Sequence, residues 1–204
     1  MAASIAVFVS GGGSNLQALL EHFRKAEAAQ AGRITLVVSD APAAPALDKA
    51  VAGGAEPAIL SNPDDGEAML ALLRDRRIDL IALAGYLKRV PDEVTAAYRG
   101  KLLNVHPSLL PAFGGKGMYG PRVHRAVIAS GVRVSGVTVH FVDDQYDHGP
   151  IIAQNPVPVF PSDDAGTLAQ RVLRAEHELY PLAVEAVAAG RVTLCEGGNV
   201  RGTV

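Results

Sequence analysis

A single cysteine, Cys195, stands in the chain, and tryptophan is missing altogether. One thiol closes no intramolecular disulfide and excludes a cysteine-based zinc site. Its neighbours offer no activating base, which leaves it a structural thiol. Long apolar runs are absent as well, and nothing approaches the roughly 20 residues of a membrane span. Neither sign of charge dominates. Against 21 acidic residues stand 19 Lys and Arg, giving a formal net charge of −2, with no basic block that would favour nucleic acid or an anionic membrane as partner. A small anionic ligand at one local site is still compatible. The N-terminus runs straight into an apolar segment without a charged region or cleavage site, so no signal peptide is expected and the expected location is cytoplasmic. What is present is 204 residues with 49% hydrophobic content, enough to bury a sizeable core.

Short apolar, β-branched runs recur at residues 4–9, 34–38, 57–60, 78–84 and 101–105, separated by helical patterns at 14–29, 43–51, 67–76 and 91–98. Nearly all-apolar strands alternating with helices predict an α/β fold: a mostly parallel twisted sheet with helices on both faces, Rossmann-like. In such sheets ligands sit outside the carboxyl ends of the strands. After Pro111 the pattern changes. Residues 112–121 (AFGGKGMYGP) are glycine-rich and predict a mobile loop, a candidate lid. A helix is expected over 121–130, a half-exposed alternating strand over 132–142, and an edge strand over 151–159, where Pro156 and Pro158 stand. Asp163 or Asp164 caps a long final helix that Gly190 ends. No linker or repeat interrupts the chain, so one domain is expected over residues 1–195, with a loose tail over 196–204.

Three elements fall at strand ends. The first is Gly11-Gly12-Gly13-Ser14-Asn15-Leu16, which follows a strand and opens a helix. Amides at a helix N-terminus favour a phosphate, and glycines let it approach. Leu16 stands where the dinucleotide fingerprint needs its third glycine, so a monophosphate fits better than a pyrophosphate, beside the plainer alternative of a tight turn with no ligand. The second is the 85–91 turn. The third is Asn104-Val105-His106-Pro107. Pro107 pushes His106 out of the helical region, and in an extended segment Asn104 and His106 share one face. Imidazole suits acid–base chemistry near neutral pH. The amide can donate to a developing oxyanion.

Five other histidines (22, 124, 140, 148 and 177) lack that context. The acidic stretch 143–150 reads three ways: a metal loop, although the EF-hand spacing fails; a solvated turn; or a loop that folds a carboxylate over His106. No nucleophile elbow surrounds Ser108 or Ser14. An Asn–His–Asp set without a nucleophile points to direct attack by a substrate on a polarised carbonyl.

These motifs together (VSGGGSNLQ at 9–17, LAGY at 83–86, LNVHPSLLP at 103–111 and VHFV-x4-DHGPII at 139–152) resemble the folate-dependent formyltransferases, and among them the phosphoribosylglycinamide formyltransferase (GAR transformylase) family of purine biosynthesis. The resemblance runs from about residue 5 to 194. It implies 10-formyltetrahydrofolate as formyl donor and the amine of glycinamide ribonucleotide as acceptor. By it, Asn104, His106 and Asp147 are catalytic: Asn104 and protonated His106 stabilise the tetrahedral oxyanion, and His106, tuned by Asp147, is the proton donor. Gly13, Ser14, Asn15 and Glu176 hold the ribonucleotide. Leu87, Lys88, Arg89 and Val90, with Asn104, line the folate pocket. No metal is implied, and the chain is expected as monomer or homodimer with only small-molecule partners. The 62–67 region lacks an arginine that some members place against folate, and Lys88 or Arg89 would compensate.

Several rivals stand beside this reading, sugar-nucleotide formyltransferases of the same core and a dinucleotide oxidoreductase, disfavoured by the broken fingerprint, among them. A formyltetrahydrofolate hydrolase, in which water replaces the amine, shares the Asn–His–Asp set but usually carries a preceding regulatory domain, for which a first strand starting by Ser4 leaves no room. A methionyl-tRNA formyltransferase needs a further C-terminal domain and basic surface. A non-catalytic nucleotide-binding Rossmann protein would keep the glycine loop without needing Asn104, His106 and Asp147.

Overall fold

The computed structural model describes residues 2–204. In chain order the elements are β1 (Ala3–Val9), α1 (Ser14–Phe23), α2 (Ala28–Ala31), β2 (Gly32–Ser39), α3 (Ala46–Gly53), β3 (Glu56–Ile59), α4 (Gly66–Asp75), β4 (Leu80–Leu83), α5 (Asp92–Ala97), β5 (Leu102–His106), α6 (Pro121–Ser130), β6 (Val134–Phe141), β7 (Ile151–Pro158), α7 (Ala165–Ala188), β8 (Thr193–Leu194) and β9 (Val200–Arg201). The first seven strands form one sheet in the order β3-β2-β1-β4-β5-β6-β7. Pairs among β1 to β5 are parallel, while β6 and β7 join antiparallel. The α/β reading holds, and the strand order reverses between β1 and β4, the switch point where such sheets bind ligands.

Alternation along β1 explains the layering. Ile5, Val7 and Val9 face α1, α3, α6 and α7, whereas Ala6 and Phe8 face α4 and α5. Both faces are therefore covered, as near-continuous apolar strands require. Local chemistry sets the helix ends. Asp164 caps α7 by accepting from the Thr167 amide, while the Thr167 hydroxyl accepts from the Asp164 amide in return, a reciprocal box that satisfies two groups a helix start would leave orphaned. Tyr180, fully buried on α7, donates its hydroxyl to the Leu83 carbonyl at 2.9 Å, pinning the long helix beneath the end of β4.

Four expectations need correction. The first helix stops at Phe23 instead of running to residue 29; a turn separates it from the single-turn α2. Pro91 is the residue preceding α5 rather than its first. The strand expected half-exposed is buried from Ser135 through Phe141, because β6 lies between β5 and β7 and its polar side chains meet partners in place of water. Thr138 Oγ1, for example, donates to the Ser108 carbonyl and accepts from the Leu110 amide. Finally, the tail after Cys195 folds back as a hairpin: β9 pairs antiparallel with β8.

Candidate active site

The carboxyl ends of β4 and β5 open into a cleft of about 540 Å³, a volume suited to small-molecule substrates. Asn104 and His106 project into it from β5, and the carboxylate that sequence spacing left open is close to both. Asp147 Oδ2 lies 3.4 Å from His106 Nδ1, and its Oδ1 lies 3.4 Å from Asn104 Nδ2, which donates to it. The acidic loop thus folds a carboxylate over the imidazole. Asp147 adopts a left-handed backbone conformation, φ 55°, uncommon outside glycine although Asp tolerates it better than most residues. Asp143 instead accepts from His148 at the protein surface. Among the described residues no group of three or more His, Cys, Asp or Glu side chains is placed to hold a metal ion.

His106 is buried, and its Nε2–H donates to the Phe113 carbonyl at 2.9 Å. Each ring nitrogen therefore faces an acceptor, so both protons of an imidazolium would have a partner. The Gly115 amide donates to Asp147 Oδ2 at 2.9 Å. The segment expected as a mobile loop is irregular, as its glycines require, but it is pinned to His106 and Asp147 through these two backbone groups. Burial pushes the Asp147 carboxyl up. The hydrogen bond and charge of His106 and the Gly115 amide outweigh burial and hold it below the ordinary carboxylate value.

His140 was one histidine among several in the sequence. Strand register makes it a neighbour of the site, since it pairs directly opposite Asn104. Its Nδ1–H donates to the Phe141 carbonyl at 2.8 Å, so Nε2 is left as the acceptor for Asn104 Nδ2 at 3.2 Å. Burial lowers its pKa against the opposing pull of the Phe141 carbonyl and Asp147, which keeps the ring neutral and that acceptor available. His140 thereby orients the Asn104 amide, with its nitrogen toward Asp147. Ser108 is no nucleophile here: it is fully buried and donates to the Ala112 carbonyl.

The glycine turn leads to the cleft through Asn15. Gly13 has φ 67° and precedes α1, Ser14 is exposed at the first turn, and Asn15 is buried and lines the cleft. Asn15 Nδ2 donates to Glu176 Oε2 at 2.6 Å, so α1 and α7 deliver two of the expected ribonucleotide contacts to one spot. Asn15 Oδ1 is buried and has no partner among the described residues. Burial holds the Glu176 carboxyl above its ordinary pKa, against the Asn15 hydrogen bond and the charge of His106.

The folded state therefore binds the Glu176 proton more tightly than the unfolded chain does. Ionisation costs stability as pH rises past the ordinary carboxylate value. Glu176→Gln should accordingly gain in Tm over wild type as pH is raised from about 4 to about 8. Thermal melts across that range check this, and a difference that does not grow with pH contradicts it.

On the remaining wall, Val90 is buried while Leu87 and Lys88 are exposed at the cleft. The Leu87 amide donates to Ser10 Oγ at 2.9 Å, tying this segment to the end of β1. Arg89 is engaged by Asp92 and by the Asp144 carbonyl, which links the segment to the acidic loop.

The switch-point cleft thus brings together an amide, an imidazole and a carboxylate, a set equipped to act on a carbonyl group. The chain belongs to the formyl transferase family, whose model matches residues 3–184. It is 44% identical to a chloroplastic phosphoribosylglycinamide formyltransferase of Vigna unguiculata over 95% of its own length, spanning 64% of that relative. A phosphoribosylglycinamide formyltransferase of Bacillus subtilis is 38% identical, with 88% of this chain and 92% of that one covered. The crystal structure of phosphoribosylglycinamide formyltransferase from Anaplasma phagocytophilum superposes with a TM-score of 0.89 at 35% identity, covering 100% of this chain and 96% of that one.

Proposed function

We propose that this protein transfers the formyl group of 10-formyltetrahydrofolate to the amine of glycinamide ribonucleotide, a step of de novo purine biosynthesis. The observation that supports this most is the meeting of Asn104, His106 and Asp147 in one cleft, with Asn15 and Glu176 lining the same cleft.

In this reading the glycine turn receives the ribonucleotide phosphate, and Asn15 and Glu176 hold the glycinamide portion. Reduced folate lies along Leu87 to Val90 and reaches Asn104. Arg89 is already paired, so Lys88 is the cation of that segment free to meet the folate carboxylates. The amine attacks the formyl carbon, forming a C–N bond and placing negative charge on the formyl oxygen. Asn104 Nδ2, oriented by His140, donates to that oxygen in exchange for its long contact to Asp147. His106 gives a proton to the departing folate nitrogen as the second C–N bond breaks. Asp147, through water, takes the proton that the amine sheds and returns it to His106 Nδ1 across their contact, so the net proton transfer is from amine to folate.

Purified protein mixed with 10-formyltetrahydrofolate, with and without glycinamide ribonucleotide, tests this. Folate deformylation is expected only when the ribonucleotide is present. Turnover without it would mean hydrolysis, and turnover in neither mixture would contradict the proposal.

A further inference from the structure

The glycine turn has a feature that its own residues do not explain. Its three carbonyls are all drawn toward one side. The Gly11 carbonyl accepts from the Ala46 amide at 3.3 Å, the Gly12 carbonyl from Lys49 Nζ at 2.7 Å, and the Gly13 carbonyl from the Gln17 amide at 3.0 Å and Lys49 Nζ at 3.3 Å. Ala46 and Lys49 both belong to α3. A peptide unit is planar and trans, so a fixed carbonyl aims the following N–H in the opposite direction. The amides of Gly12, Gly13 and Ser14 are thereby turned away from α3, and none of the three has a hydrogen-bond partner among the described residues. Successive amides aimed outward make an anion-binding concavity. Beside them, Asn15, nine-tenths buried and lining the cleft, carries a buried Oδ1 with no partner among the described residues, an acceptor a ligand donor would satisfy.

We propose that Lys49 is a positioning residue that sets this anion cradle from behind. Its ammonium grips two of the three carbonyls, and so aims the Gly13 and Ser14 amides at the phosphate without touching it. Fit also depends on α3 lying close, since a Cβ added at Gly13 would come within 2.7 Å of Ala46 Cβ. Lys49 occupies a helix distant in sequence, and no spacing rule connects it to the turn. This role deepens the proposed ribonucleotide site and rests on that reading for the identity of the anion.

Two measurements separate the role from the reading. In steady-state assays, Lys49→Met should raise KM for glycinamide ribonucleotide about tenfold or more, the scale of losing a charge-assisted hydrogen bond. Its kcat and its KM for the folate should stay within about twofold. Lys49→Arg, which retains a cationic donor, should recover most of the loss. A Lys49→Met enzyme with wild-type KM overturns the inference, and so does one in which kcat and both KM values deteriorate together. Independently of turnover, inorganic phosphate titrated into 15N-labelled protein should shift the Gly13 and Ser14 amide resonances, more weakly in Lys49→Met. No shift in the wild-type protein overturns the cradle. A shift that Lys49→Met weakens, in a wild-type protein that does not turn over the ribonucleotide, supports the cradle and overturns only the acceptor.

Discussion

Replacing His106 with alanine, or Asp147 with asparagine, should lower kcat by at least about 100-fold, the scale of lost general acid–base catalysis. The two residues act through one contact, His106 Nδ1 to Asp147 Oδ2. The double variant should therefore be little worse than the poorer single one, because residues that act as a unit are not additive. Asp147→Asn keeps the size of the side chain and the acceptor that the Gly115 amide requires, so the folded structure should persist, which circular dichroism would confirm. Near-normal turnover in either single variant would remove that residue from the mechanism. Losses that multiply in the double variant would mean that the two act separately.

Asn104→Ala should cost about 100- to 1,000-fold in kcat, as expected when a donor to a developing oxyanion is deleted. The effect should fall on kcat more than on either KM, because the bond to the formyl oxygen strengthens as charge develops. Asn104 is placed by His140, whose neutral ring accepts from Nδ2 only while its own Nδ1–H is bonded to the Phe141 carbonyl. Steady-state kinetics with each substrate varied in turn checks the prediction. A loss confined to KM would make Asn104 a binding residue and remove it from charge stabilisation.

Local features were legible in the sequence and non-local ones were not. The strands were readable because buried parallel strands are apolar on both faces, as in β1 and β4. The shared face of Asn104 and His106 followed from Pro107 and a period of two, both local constraints. The start of α7 was readable because a capping carboxylate works over three residues. Asp147 lies 41 positions beyond His106, and residue types alone could only nominate it. His140 and Lys49 are farther from legibility still. One depends on the β5–β6 register and the other on where α3 packs.

The misreading of β6 has a physical cause. Alternating polar residues look alike whether they face water or a buried hydrogen-bond network, and Thr138 takes part in the latter, bonded to Ser108, Leu110 and Gln154. The 112–121 segment is similar. Its glycines correctly exclude helix and strand, but composition is blind to the Phe113 carbonyl and Gly115 amide that fasten it to His106 and Asp147. The C-terminal hairpin escaped for the same reason, since each of its strands is two residues long and gains its order from its partner.

The central claim is that a formyl group passes directly from folate to the ribonucleotide amine in the cleft above β5. The most direct measurement follows a 13C-labelled formyl carbon by NMR after mixing labelled 10-formyltetrahydrofolate, glycinamide ribonucleotide and protein. The predicted result is label appearing as an N-formyl amide on the ribonucleotide, at the rate the folate loses it, and abolished by His106→Ala. Label released as free formate while the ribonucleotide stays unlabelled would contradict the account.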